Sequence, residues 1–113
     1  LETAFEIEDR ALPGKTALPL GLAVAELITN AQKHSFVDAA GHWIRLGLRG
    51  AGHPGGVELV VEYDGVPLPP DEVLDGATGS GLALIRGLVR QLDGDLTIER
   101  EPHNAFRIRF PTP

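Results

Sequence analysis

The sequence contains no cysteine, and its 113 residues include only one tryptophan and one tyrosine. The absence of cysteine excludes disulfide bonds and zinc sites built from thiolates, and it allows the cytoplasmic location that we expect. Basic residues are also scarce, because ten Lys and Arg stand against sixteen Asp and Glu and give a net charge of −6. These basic residues are scattered along the chain, so we expect no nucleic-acid surface.

Long apolar runs are missing as well. No stretch approaches the roughly 20 apolar residues of a membrane-spanning helix, so we expect no membrane contact by this domain. The length is that of a single domain with one core, residues 1–113. Because the sequence begins with Leu1 rather than methionine, we expect it to be a segment of a larger protein.

The hydrophobic periodicity predicts five strands and two helices in the order β-α-β-β-α-β-β. Apolar and polar residues alternate, as in half-buried strands, in segments 3–8, 42–49, 57–63, 96–100 and 105–110. Helical spacing of apolar residues covers segments 17–35 and 81–92. Thr16 is a candidate N-cap for the first helix, and Asp93-Gly94 ends the second.

This order of elements predicts an α+β fold, a two-layer α/β sandwich in which a mixed sheet carries both helices on one face. The first strand is expected at the edge of the sheet. Alternating Arg and Glu residues are expected on the sheet face that the helices leave open. The Gly- and Pro-rich segment 64–80 shows no sustained periodicity, which is typical of a binding loop or lid. We expect a lid over Val66–Thr78 to be mobile without a ligand.

A polar stripe runs along the first predicted helix in the sequence Glu26-Leu27-Ile28-Thr29-Asn30-Ala31-Gln32-Lys33-His34. At about 100° per residue, Asn30 lies about 40° around the helix from Glu26, and Lys33 and His34 flank Asn30 on either side. Polar groups on an otherwise apolar helix cost free energy unless something binds them. The alternative interpretation is an ordinary i,i+4 contact, with cations that suit the helix C-terminus.

This stretch resembles the N-box of the catalytic ATP-binding domain of bacterial sensor histidine kinases, which belong to the GHKL ATPase superfamily and have the Bergerat fold. Further segments resemble the short-lid subgroup of these domains: Leu-Pro-Leu-Gly-Leu at 18–22, Gly-Leu-Ala-Leu-Ile-Arg-Gly-Leu-Val-Arg-Gln-Leu-Asp-Gly at 81–94 and Phe-Arg-Ile-Arg-Phe-Pro at 106–111. The resemblance covers nearly the whole chain, and its order of elements agrees with the periodicity.

The resemblance implies that the chain binds ATP and Mg²⁺. Asn30 would supply an oxygen ligand to Mg²⁺, and Glu26 would be the catalytic residue that orients a water or accepts a proton. Lys33 and His34 would donate hydrogen bonds to phosphate oxygens. The other implied cofactor-binding residues lie at the two ends of the lid, where glycine backbone and a helix N-terminus approach the nucleotide: Asp64, Gly65, Gly79, Ser80, Gly81 and Leu82.

The box that binds adenine in the family reads Asp-x-Gly-x-Gly, and here the matching stretch departs from that pattern. It reads Tyr-Asp-Gly-Val-Pro at 63–67, so Tyr63 stands at the position of the adenine-binding Asp and Pro67 at that of the second Gly. Asp64 comes one position later and would reach the base only through a local bulge or a register shift. His103 and Asn104 replace the family's Gly-Thr before the last strand.

Three functions are open on the sequence. The first is the ATP-binding catalytic domain of a two-component sensor histidine kinase. It would transfer the γ-phosphoryl group to a histidine on upstream dimerisation helices and work with a response regulator receiver domain. The second is a pseudokinase or phosphotransfer docking domain that has lost nucleotide binding. The third is an anti-sigma-type serine kinase. None of the four histidines in this segment sits in a dimerisation hairpin, so the acceptor histidine must lie outside it.

Overall fold

The computed structural model describes residues 2–7, 12–36, 41–50, 56–76 and 81–111. These residues form the following elements in chain order: β1 Glu2–Ile7, α1 Gly14–Asn30, β2 Trp43–Gly50, β3 Gly56–Tyr63, α2 Asp71–Gly76, α3 Leu82–Gln91, β4 Asp95–Glu99 and β5 Asn104–Pro111. A π-helical turn, Ala31–Ser35, continues α1 at its C-terminal end. Within these residues, no helix is long and apolar enough to cross a membrane.

The strands form one mixed sheet in the order β1-β2-β3-β5-β4. β1 pairs in parallel with β2, and every other neighbouring pair is antiparallel. A parallel pair needs a crossover connection, and α1 provides it between β1 and β2. The predicted mixed sheet is therefore confirmed, with β1 at its edge.

One face of the sheet is covered by α1 and α3. The buried side chains of α1 recur every three or four residues, as one face of a helix requires: Thr16, Pro19, Leu20, Ala23 and Leu27. Those of α3 are Leu82, Ile85, Leu88 and Val89. Alternate residues of the central strand β3 meet both helices: Val57, Leu59, Val61 and Tyr63. This arrangement confirms the two-layer sandwich.

The structure differs from the predicted elements at the start of α1 and in the lid. α1 begins at Gly14, and Thr16 lies buried in its first turn rather than capping it. The carbonyl of Pro13 accepts the N–H groups of Thr16 and Ala17 at 2.9 and 2.8 Å, so the backbone closes this turn without a side-chain cap. The lid also contains the short helix α2, which is too brief to show periodicity.

The open face of the sheet carries alternating Arg and Glu residues, as the sequence predicted. Glu58 of β3 is buried there and accepts hydrogen bonds from Arg49 at 2.9 Å and Arg109 at 2.7 Å. Burial alone would raise the pKa of the Glu58 carboxyl. The two guanidinium groups outweigh that effect and hold the pKa below its ordinary value of 4.5.

The lowered pKa predicts a pH-dependent contribution to stability. The ionised Glu58 stabilises the fold above pH 4.5, and this contribution is lost as the pH falls through the lowered folded-state pKa. We expect Glu58→Gln to reduce the free energy of unfolding by about 1–3 kcal/mol at neutral pH. The difference from the unmodified chain should shrink in acid, as urea denaturation at several pH values would measure.

The matched control is Glu72→Gln, because Glu72 is exposed on α2. We expect this variant to change the free energy of unfolding by less than about 0.5 kcal/mol at any pH. An equal loss of stability for Glu58→Gln at neutral and acidic pH would contradict the ion-pair explanation.

Candidate active site

The polar stripe of α1 meets the start of α3 at Gly81. A Cβ placed on Gly81 would lie 2.3 Å from Oε1 of Glu26, so the glycine backbone is in close contact with that carboxylate. Gly81 has φ 76°, in the left-handed region that glycine adopts without steric cost, and it occupies the N-cap of α3. The structure thus brings together Glu26 and Gly81, which lie 55 positions apart in the sequence and were both predicted as site residues.

Asn30 is the last residue of α1, one turn after Glu26, and it is partly exposed. Because the chain is α-helical between the two, they lie on the same side of α1 as expected. The next turn is π-helical, and Phe36 N–H donates to the carbonyl of Ala31 at 2.9 Å. The prediction of α-helical geometry through residue 35 is therefore wrong. The wider turn changes the angular positions of Lys33 and His34, and both side chains are exposed.

The N-terminus of α3 forms the other wall of this region. Among the described residues no side chain caps it, and a helix N-terminus carries partial positive charge that favours an anion. The side chain of Leu82, a predicted cofactor-binding residue, is buried in the core. The predicted residues Gly79 and Ser80 lie outside the described residues.

At the far end of the same region, Tyr63 fills the space between α1 and the sheet. Its side chain is fully buried, with its ring stacked on Phe106 at 6.3 Å and meeting the edge of Phe36 at 6.0 Å. Burial raises the pKa of the Tyr63 hydroxyl, and the nearby hydroxyl of Ser35 offsets only part of that rise. Within the described part of the chain, no group meets hydrogen-bond geometry with the Tyr63 hydroxyl.

Asp64 is held by the chain itself. Its Oδ1 accepts the N–H of Trp43 at 3.0 Å and lies 3.2 Å from Nδ1 of His42. The His42 ring in turn stacks on Phe36 at 4.5 Å. The sequence gives no signal for this pairing, because His42 lies 22 positions before Asp64 and no local pattern links them.

Gly65 brings the start of the lid against the end of the π-helical turn. It has φ 101°, and a Cβ at this position would lie 2.4 Å from the carbonyl oxygen of Ser35. Val66 N–H donates to that same carbonyl at 3.1 Å, and the Ser35 hydroxyl donates to the carbonyl of Val66 at 3.1 Å. Gly65 is therefore in a position that requires glycine.

The β4–β5 hairpin holds the next part of the lid. Asn104 is buried, with Oδ1 accepting Leu68 N–H at 2.9 Å and Nδ2 donating to the carbonyl of Val66 at 3.0 Å. Arg100 donates to the carbonyls of Leu68 and Pro69 at 3.2 and 2.6 Å. We expected a mobile lid over Val66–Thr78, but these hydrogen bonds hold Val66, Leu68 and Pro69 against the hairpin. Residues 77 and 78 of the predicted lid lie outside the described residues. The sequence offered no signal for Arg100.

The contact between α1 and α3 predicts that residue 81 must be glycine. We expect Gly81→Ala to lower the free energy of unfolding by about 1–2 kcal/mol, because a Cβ is strained at positive φ and would displace the Glu26 carboxylate. Gly87→Ala is the control within α3, since the nearest atom to its added Cβ lies 3.8 Å away. It should be neutral or stabilising by up to about 1 kcal/mol. Equal stabilities of the two variants in urea denaturation would contradict this interpretation.

Comparisons with known proteins identify the family. Residues 15–113 match the family described as histidine kinase-, DNA gyrase B-, and HSP90-like ATPase. Over 90 residues the chain is 33% identical to Blue-light-activated histidine kinase 2 from Erythrobacter litoralis, covering 79% of this chain and 25% of that protein. The chain thus spans about a quarter of the length of this relative.

Two solved structures of histidine kinases are similar to this chain along almost its whole length. The blue-light activated histidine kinase of Erythrobacter litoralis superposes with a TM-score of 0.84 and 27% identity, covering 98% of this chain and 35% of that one. The Acinetobacter baumannii histidine kinase AdeS gives a TM-score of 0.78 at 17% identity, covering 98% and 54%, which supports the fold alone. The chain belongs to the histidine kinase-, DNA gyrase B-, and HSP90-like ATPase family, and it is similar in sequence and fold to histidine kinases.

Proposed function

We propose that this chain binds Mg–ATP between α1 and α3 and positions the γ-phosphoryl group for transfer to a histidine outside the segment. Residues 1–113 act as one domain of a larger cytoplasmic two-component kinase. The acceptor histidine lies on upstream dimerisation helices, and a response regulator receiver domain takes the phosphoryl group from it afterwards.

The observation that carries this proposal is the contact of the Glu26 carboxylate with Gly81 at the N-terminus of α3. Asn30 follows Glu26 by one turn on the same side of α1. Phosphate groups lying between the two helices would meet an amide and a carboxylate on one side. On the other they would meet a helix N-terminus, whose partial positive charge favours anions.

The residues present fit Mg²⁺ bound together with a nucleotide. Within the described residues, no three His, Asp or Glu side chains form a group that could hold a metal by themselves. Mg²⁺ normally takes one or two protein oxygens and completes its octahedron with phosphate oxygens and water, so the Asn30 side-chain oxygen is a sufficient protein ligand. When bound, Mg²⁺ would neutralise negative charge on the phosphates.

Glu26 is the general base in the proposed reaction. During transfer, an imidazole nitrogen of the acceptor histidine bonds to the γ-phosphorus, the bond from that phosphorus to the bridging oxygen breaks, and ADP leaves. The imidazole loses its N–H proton in the process, and the Glu26 carboxylate accepts it. The exposed side chains of Lys33 and His34 are available to donate to phosphate oxygens as these approach the end of α1.

The test is a calorimetric titration of the chain with Mg–ATP. We expect Asn30→Asp to weaken binding at least about tenfold, because a second negative charge beside the phosphates replaces a neutral ligand oxygen. Removal of Mg²⁺ with a chelator should weaken the binding of ATP to the unmodified chain to a similar extent.

Gln32→Ala is the matched control, since Gln32 is an exposed neighbour in the π-helical turn. This variant should bind like the unmodified chain. If millimolar Mg–ATP gives no binding signal with the unmodified chain, the proposed function is wrong and the pseudokinase hypothesis takes its place.

A further inference from the structure

One end of the site is formed by Ser35, Tyr63 and Asn104, and most of the described polar groups there form hydrogen bonds within the chain. Both ends of the Asn104 amide bind lid backbone, and Oδ1 of Asp64 accepts from the backbone of Trp43. The Ser35 hydroxyl and the Ser35 carbonyl are both bonded to Val66. These bonds leave few donors or acceptors for a ligand at this end.

The exception is the Tyr63 hydroxyl, which has no hydrogen-bond partner among the described residues. It is nevertheless out of reach, because the whole Tyr63 side chain is fully buried between Phe36 and Phe106. A hydroxyl can also both donate and accept a hydrogen bond. Even if exposed by a movement of the chain, it would not distinguish an amino group from a carbonyl oxygen on a base.

This closed end lies where the base of a nucleotide would be expected. Ser35 follows Asn30 by a single π-helical turn, and Tyr63 is the sheet partner of Asn104 in the register of β3 and β5. For phosphates held by Asn30 and the N-terminus of α3, we place the base on the side of Ser35, Tyr63 and Asn104. This placement rests on the proposed function.

We propose that the site recognises the triphosphate and its metal and does not read the base, so that its ligand class is Mg²⁺-bound nucleoside triphosphates in general. Sites that hydrogen-bond a distinguishing group reject analogues lacking it by large factors, because their own polar groups are then left unpaired. Here the Asn104 amide, the Ser35 hydroxyl and Oδ1 of Asp64 are already paired within the chain. A change of base leaves these groups paired, so we expect it to alter affinity little.

The experiment compares four ligands on the 113-residue chain by calorimetry in excess Mg²⁺: ATP, GTP, CTP and inorganic triphosphate. We expect the three nucleotides to bind within about threefold of one another, and triphosphate within about tenfold of ATP. Asn30→Asp should lower the affinity for all four ligands by the same factor, since they share the phosphate contacts. Tyr63→Phe should leave the ratio of ATP to GTP affinity unchanged, because the hydroxyl contacts neither base.

Two results would overturn the inference while leaving the proposed function intact. One is a preference of the unmodified chain for ATP over GTP of more than about tenfold. The other is a selective loss of ATP affinity in Tyr63→Phe, which would mean that the hydroxyl reads the base. If none of the four ligands binds, the proposed function is wrong, and the inference that rests on it is wrong as well. Tyr63→Phe retains the buried ring, so a folding failure of this variant is not expected.

Discussion

The close approach of α1 to both ends of the lid is the constraint on which the site depends. At one end, the carbonyl of Ser35 lies where a Cβ of Gly65 would be, and at the other, the Glu26 carboxylate lies where a Cβ of Gly81 would be. Both glycines have positive φ, which other residues adopt only at a steric cost. These two contacts fix the ends of the lid against a single helix, and they place the N-terminus of α3 beside the polar stripe.

The site is chemically divided along α1. Near Glu26 and Asn30 it offers a carboxylate and an amide, whose oxygens suit a divalent cation, and the N-terminus of α3, whose partial positive charge suits phosphate. Near Ser35 it is closed by a buried aromatic side chain and by an amide whose hydrogen bonds all go to the lid. The hydrogen bonds of Asn104 and Arg100 hold the first part of the lid on the β4–β5 hairpin. The same contacts that stabilise the lid thus remove the groups that could read a base.

The sequence predicted the sandwich and the sheet edge, because hydrophobic periodicity is a local signal. That the polar stripe and Gly81 belong to one site was implied only by the family resemblance, since Glu26 and Gly81 lie 55 positions apart. It did not predict the π-helical turn, since Ala31–Ser35 has the composition of an ordinary helix end. The contacts of Asp64 with His42 and of Arg100 with Pro69 join residues distant in sequence, so no local pattern revealed them. Tyr63 was recognised as a departure from the family motif, but its burial depends on Phe36 and Phe106, which only the fold brings together.

Phosphate recognition without base recognition has a direct readout in the amide chemical shifts of the chain, titrated in parallel with Mg–ATP and Mg–triphosphate. We expect both ligands to shift the same amides, those around Asn30 and the start of α3. The amides of Tyr63, Val66 and Asn104 should respond equally little to either ligand. Large shifts at Tyr63 and Asn104 with Mg–ATP but not with Mg–triphosphate would place the base in that end of the site and would show that the base is recognised.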